Sequence, residues 1–370
     1  MEIYLNTPTR EPLPAWMNQN AFDTVKTYYE RVTGYAPTPL ITLQALAGEL
    51  GLGGIYIKDE SKRFGLNAFK ALGALYAVRQ AIGRRLSVRT LVAATDGNHG
   101  RAVTWAAKRE GLPCVIFMPK GTNPTHVEAI RRMGTAEIFI TDQNYDETVH
   151  LALEYAEREN GLLVQDTELK GYQATASDIA LGYSVMPAEA LAQMDALGAD
   201  APTHVLMQAG VGSMAGGVLG YLAHRFPENP PKFFVVETWE VPCIMESVRQ
   251  GKTVVIRAIP HTSMFGLNCG EPNPQTLPIL RSRADCFVRC HDEVTYEGMR
   301  RLARPLGKDP AIISGECGAV TLGALMRLME DSAYAIERAK LGLDEHARVL
   351  LFSTEGDTDP AHYRKVVEEA

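Results

Sequence analysis

Nine short apolar runs punctuate the chain, at 54–57, 91–94, 114–118, 137–140, 162–165, 205–208, 233–237, 286–289 and 349–352. Between most of them the apolar residues fall at helical spacing. In 145–160, for example, Val149, Leu151, Leu153, Tyr155 and Ala156 stand among acidic neighbours, and 293–304 and 319–329 read the same way. Strands that alternate with helices pair in parallel and are covered on both faces. The pattern therefore predicts an α/β fold of parallel-rich twisted sheets flanked by helices. A chain of 370 residues is long enough for a sizeable core and usually divides in two. Breaks in the pattern fall at Met186-Pro187 and between Ala199 and Pro202.

Composition narrows the classes. Hydrophobic content of 46% and charged content of 22% are those of an ordinary globular protein. A net charge of −7, with no basic run or aromatic stripe, argues against nucleic acid as a partner. No apolar stretch approaches a membrane span, and the start Met1-Glu2-Ile3-Tyr4-Leu5-Asn6 has no secretory pattern, so a cytoplasmic protein is expected. The six cysteines are then expected as buried thiols, with a bridge between Cys243 and Cys269 left open. Alternation places Cys286, Val288 and Cys290 on one strand face, which favours core packing over a zinc site.

Candidate chemistry begins at Lys70, inside Ala68-Phe69-Lys70-Ala71-Leu72 at the expected start of a helix. Apolar flanks should desolvate the amine, lower its pKa and leave a nucleophile able to form a Schiff base with a carbonyl cofactor. The competing reading is a lysine whose stem lies on apolar surface with its head in water.

Three strand-to-turn segments bear on that choice. The loop Ala209-Gly210-Val211-Gly212-Ser213-Met214-Ala215-Gly216-Gly217 follows an apolar run and precedes a helical pattern at 218–225. Such a turn can aim backbone N–H groups and a helix dipole at a phosphate. It approaches the dinucleotide fingerprint without matching it, and a plain tight turn is the alternative. The turn Thr95-Asp96-Gly97-Asn98-His99-Gly100 offers Asn98 as a donor to a ring hydroxyl and Asp96 as an acid or base, against simple helix capping. At the last strand end, Ser353 and Thr354 carry hydroxyls that can face a cleft or form an ordinary turn. Asp166 closes the run 162–165 and is a further carboxylate at a strand end, or a turn aspartate. All follow strands, so they can face one crevice at the carboxyl ends of the sheet.

The order of these features resembles the fold-type II pyridoxal-phosphate enzymes. The segments Lys58-Asp59-Glu60-Ser61-Lys62-Arg63-Phe64-Gly65-Leu66-Asn67-Ala68-Phe69-Lys70, Thr95 to Arg101, Val164 to Thr167, Cys269-Gly270-Glu271-Pro272 and Ser353 to Asp357 resemble the diaminopropionate ammonia-lyases among them. The resemblance runs from Lys58 to Asp357.

It implies a tryptophan synthase β-like fold, with a small inserted domain at 75–186 and a large domain from 1–74 and 187–370. It implies pyridoxal 5′-phosphate on Lys70, with Phe69, Asn98, the amides of Gly210, Gly212, Ser213, Met214 and Ala215, and Ser353 or Thr354 around the cofactor. Lys70, Asp96 and Asp166 are the implied catalytic residues. The implied reaction is α,β-elimination of 2,3-diaminopropionate, D and L, to pyruvate and two ammonia, in a homodimer. A serine or threonine dehydratase of the same fold is the nearest alternative. A nicotinamide-dependent oxidoreductase or a non-catalytic phosphate binder would follow from the glycine loop alone.

Overall fold

The computed structural model describes residues 1–84, 88–95, 97–169, 171–258 and 261–368. Its strands are β1 (Glu2–Leu5), β2 (Leu40–Thr42), β3 (Gly54–Asp59), β4 (Leu91–Ala94), β5 (Cys114–Met118), β6 (Ala136–Ile140), β7 (Leu162–Leu163), β8 (His204–Gln208), β9 (Lys232–Thr238), β10 (Cys286–Cys290) and β11 (Arg348–Ser353). They form a seven-stranded sheet in the order β1-β10-β9-β8-β11-β3-β2 and a four-stranded sheet in the order β6-β5-β4-β7.

All nine apolar runs are strands, and every pairing among them is parallel. The two strands that the pattern does not announce, β1 and β2, are the edges of the large sheet and pair antiparallel. They are only half-buried, so neither carries the dense apolar signal of a strand covered on both faces.

Strand parity builds the core of the large sheet. In β9, Phe233 and Val235 join the apolar layer on one face, and Phe234 and Val236 the layer on the other. In β10, Cys286, Val288 and Cys290 share a layer while Phe287 points oppositely, as alternation requires. Each such fully buried aromatic or branched side chain contributes about 1.5–3 kcal/mol. The small sheet has its own layer, built on Val92, Val115, Phe117 and Leu163 with Val149, Ala152 and Ala156 from the helix Tyr145–Arg158.

The break at Met186-Pro187 lies inside the helix Val185–Ala196. Pro187 occupies its first turn, where a missing N–H costs no helical hydrogen bond. Proline there marks a helix start rather than a gap between elements. Among the described residues no helix is long and apolar enough to cross a membrane.

Candidate active site

Lys70 does not lie in a helix; it immediately precedes the helix Ala71–Arg84. The chain reaches it from β3 through an irregular turn with positive φ at Phe64 (51°), Gly65 (69°) and Asn67 (57°). The last stretch is stitched to the end of β11. Phe69 N–H donates to the Thr354 carbonyl (3.1 Å), and Gly356 N–H to the Asn67 carbonyl (3.1 Å). Ala68 and Glu355 form an isolated antiparallel bridge. The lysine is thus held by residues nearly three hundred positions away in the chain.

Lys70 Nζ pairs with Asp166 Oδ2 and lies 5.3 Å from the centroid of the Phe69 ring. Burial pulls the ammonium down, but the adjacent Asp166 carboxylate outweighs it and holds Lys70 above its ordinary value. This corrects the expectation of a lowered pKa. Apolar neighbours in sequence report desolvation; they cannot report a carboxylate 96 residues further on. For Asp166, burial pushes upward, yet the Lys70 charge prevails and holds the carboxyl at about 2.

Asp166 is itself anchored. Ser213 Oγ donates to its backbone carbonyl, and Asn273 Nδ2 donates to that carbonyl (3.2 Å) and to Ser213 Oγ (2.6 Å). Asn273 is fully buried, and nothing in its local sequence singles it out. His99 is also buried; its Nε2 lies 2.7 Å from the Val164 carbonyl, and burial lowers its pKa. The neutral ring therefore donates through Nε2, which leaves Nδ1 as an acceptor.

The glycine loop enters its helix earlier than the pattern indicates. The helix is Ser213–Arg225 rather than 218–225, so Ser213, Met214 and Ala215 form its first turn. The first backbone bond of the turn runs from Gly216 N–H to the Gly212 carbonyl (2.8 Å), so the amides of those three residues precede it. Gly212 has φ +93°, open to glycine at no cost. A methyl group on Gly210 would stand 3.0 Å from the Gly266 carbonyl and 3.1 Å from Cys269 Sγ. The loop is thus a close-packed cradle of outward amides at the positive end of a helix dipole.

Asp96 lies outside the described residues. Asn98 begins the helix Asn98–Glu110. Its Nδ2 donates to Glu355 Oε2 (2.5 Å), and its Oδ1 accepts from Arg101 Nη1 (3.2 Å). At the end of β11 the two hydroxyls part. Ser353 Oγ donates to Ser314 Oγ (2.8 Å), away from the site. Thr354 Oγ1 accepts from Gln208 Nε2 (2.7 Å), which also donates to the Cys317 carbonyl (2.8 Å). Neighbours in an extended chain point to opposite sides, so only one of the pair can face a cleft.

A single cavity of about 590 Å³ gathers these groups. Its walls include Phe69, Lys70, Asn98, Asp166, Gly210, Gly212, Ser213, Met214, Ala215 and Thr354, but not Ser353. Gln208, Glu316 and Glu355 also line it and are absent from the residues singled out by sequence. Glu316 is buried, and burial together with the nearby Glu355 carboxyl pushes it up to about 8. All six cysteines carry free thiols; Cys243 is buried and Cys269 half-buried in the cavity wall.

The residues present fit pyridoxal phosphate: an amine for a carbonyl, an amide cradle for a phosphate, and hydroxyl and amide groups between them for a polar ring. A family model described as pyridoxal-phosphate dependent enzyme matches residues 32–338. The chain belongs to this family. Diaminopropionate ammonia-lyase of Escherichia coli K12 is 44% identical over 95% of this chain and 92% of its own length. The Salmonella typhimurium enzyme of the same name is 41% identical over 95% and 93%. The crystal structure of the Escherichia coli enzyme in complex with an aminoacrylate-PLP azomethine reaction intermediate superposes with a TM-score of 0.93, 43% identity, and coverage of 100% of this chain and 97% of that one. Tomato threonine deaminase isoform 2, at 19% identity and TM-score 0.78, shares the fold. The fold is therefore the fold-type II architecture of the family. The nicotinamide reading of the glycine loop falls, because the loop shares its cavity with Lys70 and the chain belongs to the pyridoxal-phosphate family.

Proposed function

We propose that this chain catalyses α,β-elimination of 2,3-diaminopropionate to pyruvate and two ammonia, using pyridoxal 5′-phosphate held on Lys70. The observation that carries the reading is the Lys70–Asp166 pair inside a cavity that ends in the Gly210–Ala215 amide cradle. Bound there, the cofactor supplies an electron sink for charge developing at the substrate Cα.

The residues of the chain divide the rest of the work. The amides of Gly210, Gly212, Ser213, Met214 and Ala215 hold the phosphate. Thr354, whose oxygen already accepts from Gln208, would have its own proton free for the ring nitrogen, Asn98 would donate to the ring oxygen, and Phe69 would stand beside the lysine amine. Lys70 accepts the Cα proton. Asp166, held low by the Lys70 ammonium against the upward push of burial, serves as a charge partner rather than as a proton donor. When Lys70 engages substrate, that carboxylate is left to a second cation, and diaminopropionate brings one where serine brings none.

The two Cα configurations present their protons on opposite sides, so a second base is required opposite Lys70, and Asp96 is assigned to it. Loss of a general base costs about 10²–10⁴-fold, so Asp96→Asn should lower turnover of the D isomer by that factor and spare the L isomer. Equal losses on both isomers would remove the assignment.

We further read 75–186, which contains all four strands of the small sheet, as an inserted domain, and the assembly as a cytoplasmic homodimer. The deciding experiment is turnover of the purified holoenzyme on diaminopropionate, serine and threonine side by side. We expect two ammonia per pyruvate and a kcat/KM for diaminopropionate roughly 10–100-fold above that for serine, the value of one charge-assisted contact. Preference for serine or threonine would make the chain a dehydratase of the same fold.

A further inference from the structure

Glu355 sits where three parts of the site meet. Its backbone bridges Ala68, two residues before Lys70. Its side chain, almost fully buried, has both oxygens engaged: Oε1 accepts Cys317 N–H (3.0 Å), and Oε2 accepts Asn98 Nδ2 (2.5 Å). Asn98 is fixed at its other end as well, since its Oδ1 accepts from Arg101. An amide whose oxygen is turned to a guanidinium, with one N–H committed to a carboxylate, has a single donor left over. That donor is the second N–H of Nδ2. Asn98 lines the cavity, and that N–H is the donor it can present there.

We propose that Glu355 is a positioning residue for the cofactor ring: it holds the Asn98 amide in the one orientation that faces the ring oxygen with a hydrogen-bond donor. The assignment rests on the reading of Asn98 given above. A donor at that point favours the ring oxygen in its anionic form, because the strong hydrogen bond is the charge-assisted one. No other residue type serves the geometry. Glutamine has one acceptor oxygen where Cys317 N–H and Asn98 Nδ2 demand two, so one donor would face another. Aspartate is a methylene short of spanning both.

The test is a double-mutant cycle on Asn98→Ala and Glu355→Gln, read without turnover. Apoenzyme is titrated with pyridoxal phosphate for its dissociation constant, and the visible absorption maximum of the loaded protein is recorded. A lost charge-assisted hydrogen bond is worth roughly a 10–100-fold change in affinity. We expect each single variant to weaken cofactor binding within that range and to move the absorption maximum in the same direction. The double variant should do no more than Asn98→Ala alone. Additive effects, or a Glu355→Gln protein with the wild-type maximum and affinity beside a shifted Asn98→Ala, would overturn the role of Glu355. An unshifted Asn98→Ala would overturn the reading of Asn98 and the proposal with it. Should Glu355→Gln fail to fold, Glu355→Asp carries the same comparison, with a shift in the same direction expected and a wild-type maximum overturning.

Discussion

Two lysines twelve residues apart, Lys58 buried and Lys70 half-buried, are used by the structure in opposite ways. Lys58 donates to the Thr38 carbonyl (2.6 Å) and Gln193 Oε1 (2.8 Å) and pairs with Glu189 (2.6 Å). Glu189 also takes two bonds from Arg63 (2.8 Å each), and Arg63 takes up Glu60 besides. Tyr35 and Thr38 add donors to the two carboxylates. The cluster holds two cations and two anions, with many partners for each. Lys70 has Asp166 and a cavity. Its side chain is 18% exposed, where that of Lys58 is 0% exposed. The pKa shifts run against intuition. Burial lowers Lys58, because its carboxylates are shared with Arg63, whose charge repels it. Lys70 is raised, because Asp166 serves it undivided. A saturated network is a fastener. A single opposing charge at a cavity wall is chemistry held ready.

The contrast breaks first at Lys70. Lys70→Ala should remove the visible band of the bound cofactor and lower turnover by about 10⁴-fold or more. It should leave the melting temperature of the apoprotein within a few degrees, since water in the cavity can solvate Asp166. A grossly unfolded variant would show that Lys70 is structural after all. Glu189→Gln should do the reverse. Removing one partner from a buried ionic group costs about 3–5 kcal/mol, because the other charges stay behind. Denaturant unfolding should report that loss, while the protein that remains folded keeps a wild-type absorption spectrum.

The same pair shows how far sequence reaches. Lys58-Asp59-Glu60-Ser61-Lys62-Arg63 holds five charges in six residues, and nothing in that string announces that Lys58, Asp59, Glu60 and Arg63 are buried. Their partners, Thr38 and Glu189, lie outside any local window. The central strands were legible because both faces of each are covered, which forces an apolar run. The edges β1 and β2 were not, for the converse reason. At the site, Lys70 and the glycine loop stand out by residue type and context, whereas Gln208, Asn273, Glu316 and Glu355 act by meeting residues far away. The lone choice between Ser353 and Thr354 needed only the side to which each points, and that is a property of the strand in three dimensions.

Asp166→Asn sharpens the comparison by leaving Lys70 half-buried with a neutral neighbour. The largest upward pull on its ammonium disappears while desolvation stays, so the pKa must fall. Cofactor uptake by apoenzyme requires the unprotonated amine. In the wild-type protein uptake should therefore quicken as pH rises, and in Asp166→Asn the same rise should come at lower pH. Turnover of diaminopropionate should drop by roughly 10–100-fold, the value of one charge-assisted contact, with a smaller loss on serine. An unmoved uptake profile would show that Asp166 does not govern Lys70.

Glu316 extends the contrast to a buried carboxyl that faces the ring of His362, at 3.4 Å, rather than a lysine or arginine. Burial, then Glu355, raises it from an ordinary 4.5 to about 8. Between those values the folded chain keeps a proton that the unfolded chain releases, so stability falls as pH rises across the window. The full slope for one proton is about 1.4 kcal/mol per pH unit. Glu237, raised by burial to about 8 although the Ile244 and Met245 amides that donate to it pull the other way, adds a slope of the same sign. His99 and His204, both lowered by burial, oppose it below about 6.5, where the unfolded chain binds protons that they refuse. Apoprotein unfolding between about pH 6.5 and 8 thus isolates the two carboxyls. Glu316→Gln should roughly halve the decline there and stabilise the protein most at the upper end. An unchanged decline would mean that Glu316 is ionised in the fold, and that its cavity wall carries a full negative charge at neutral pH.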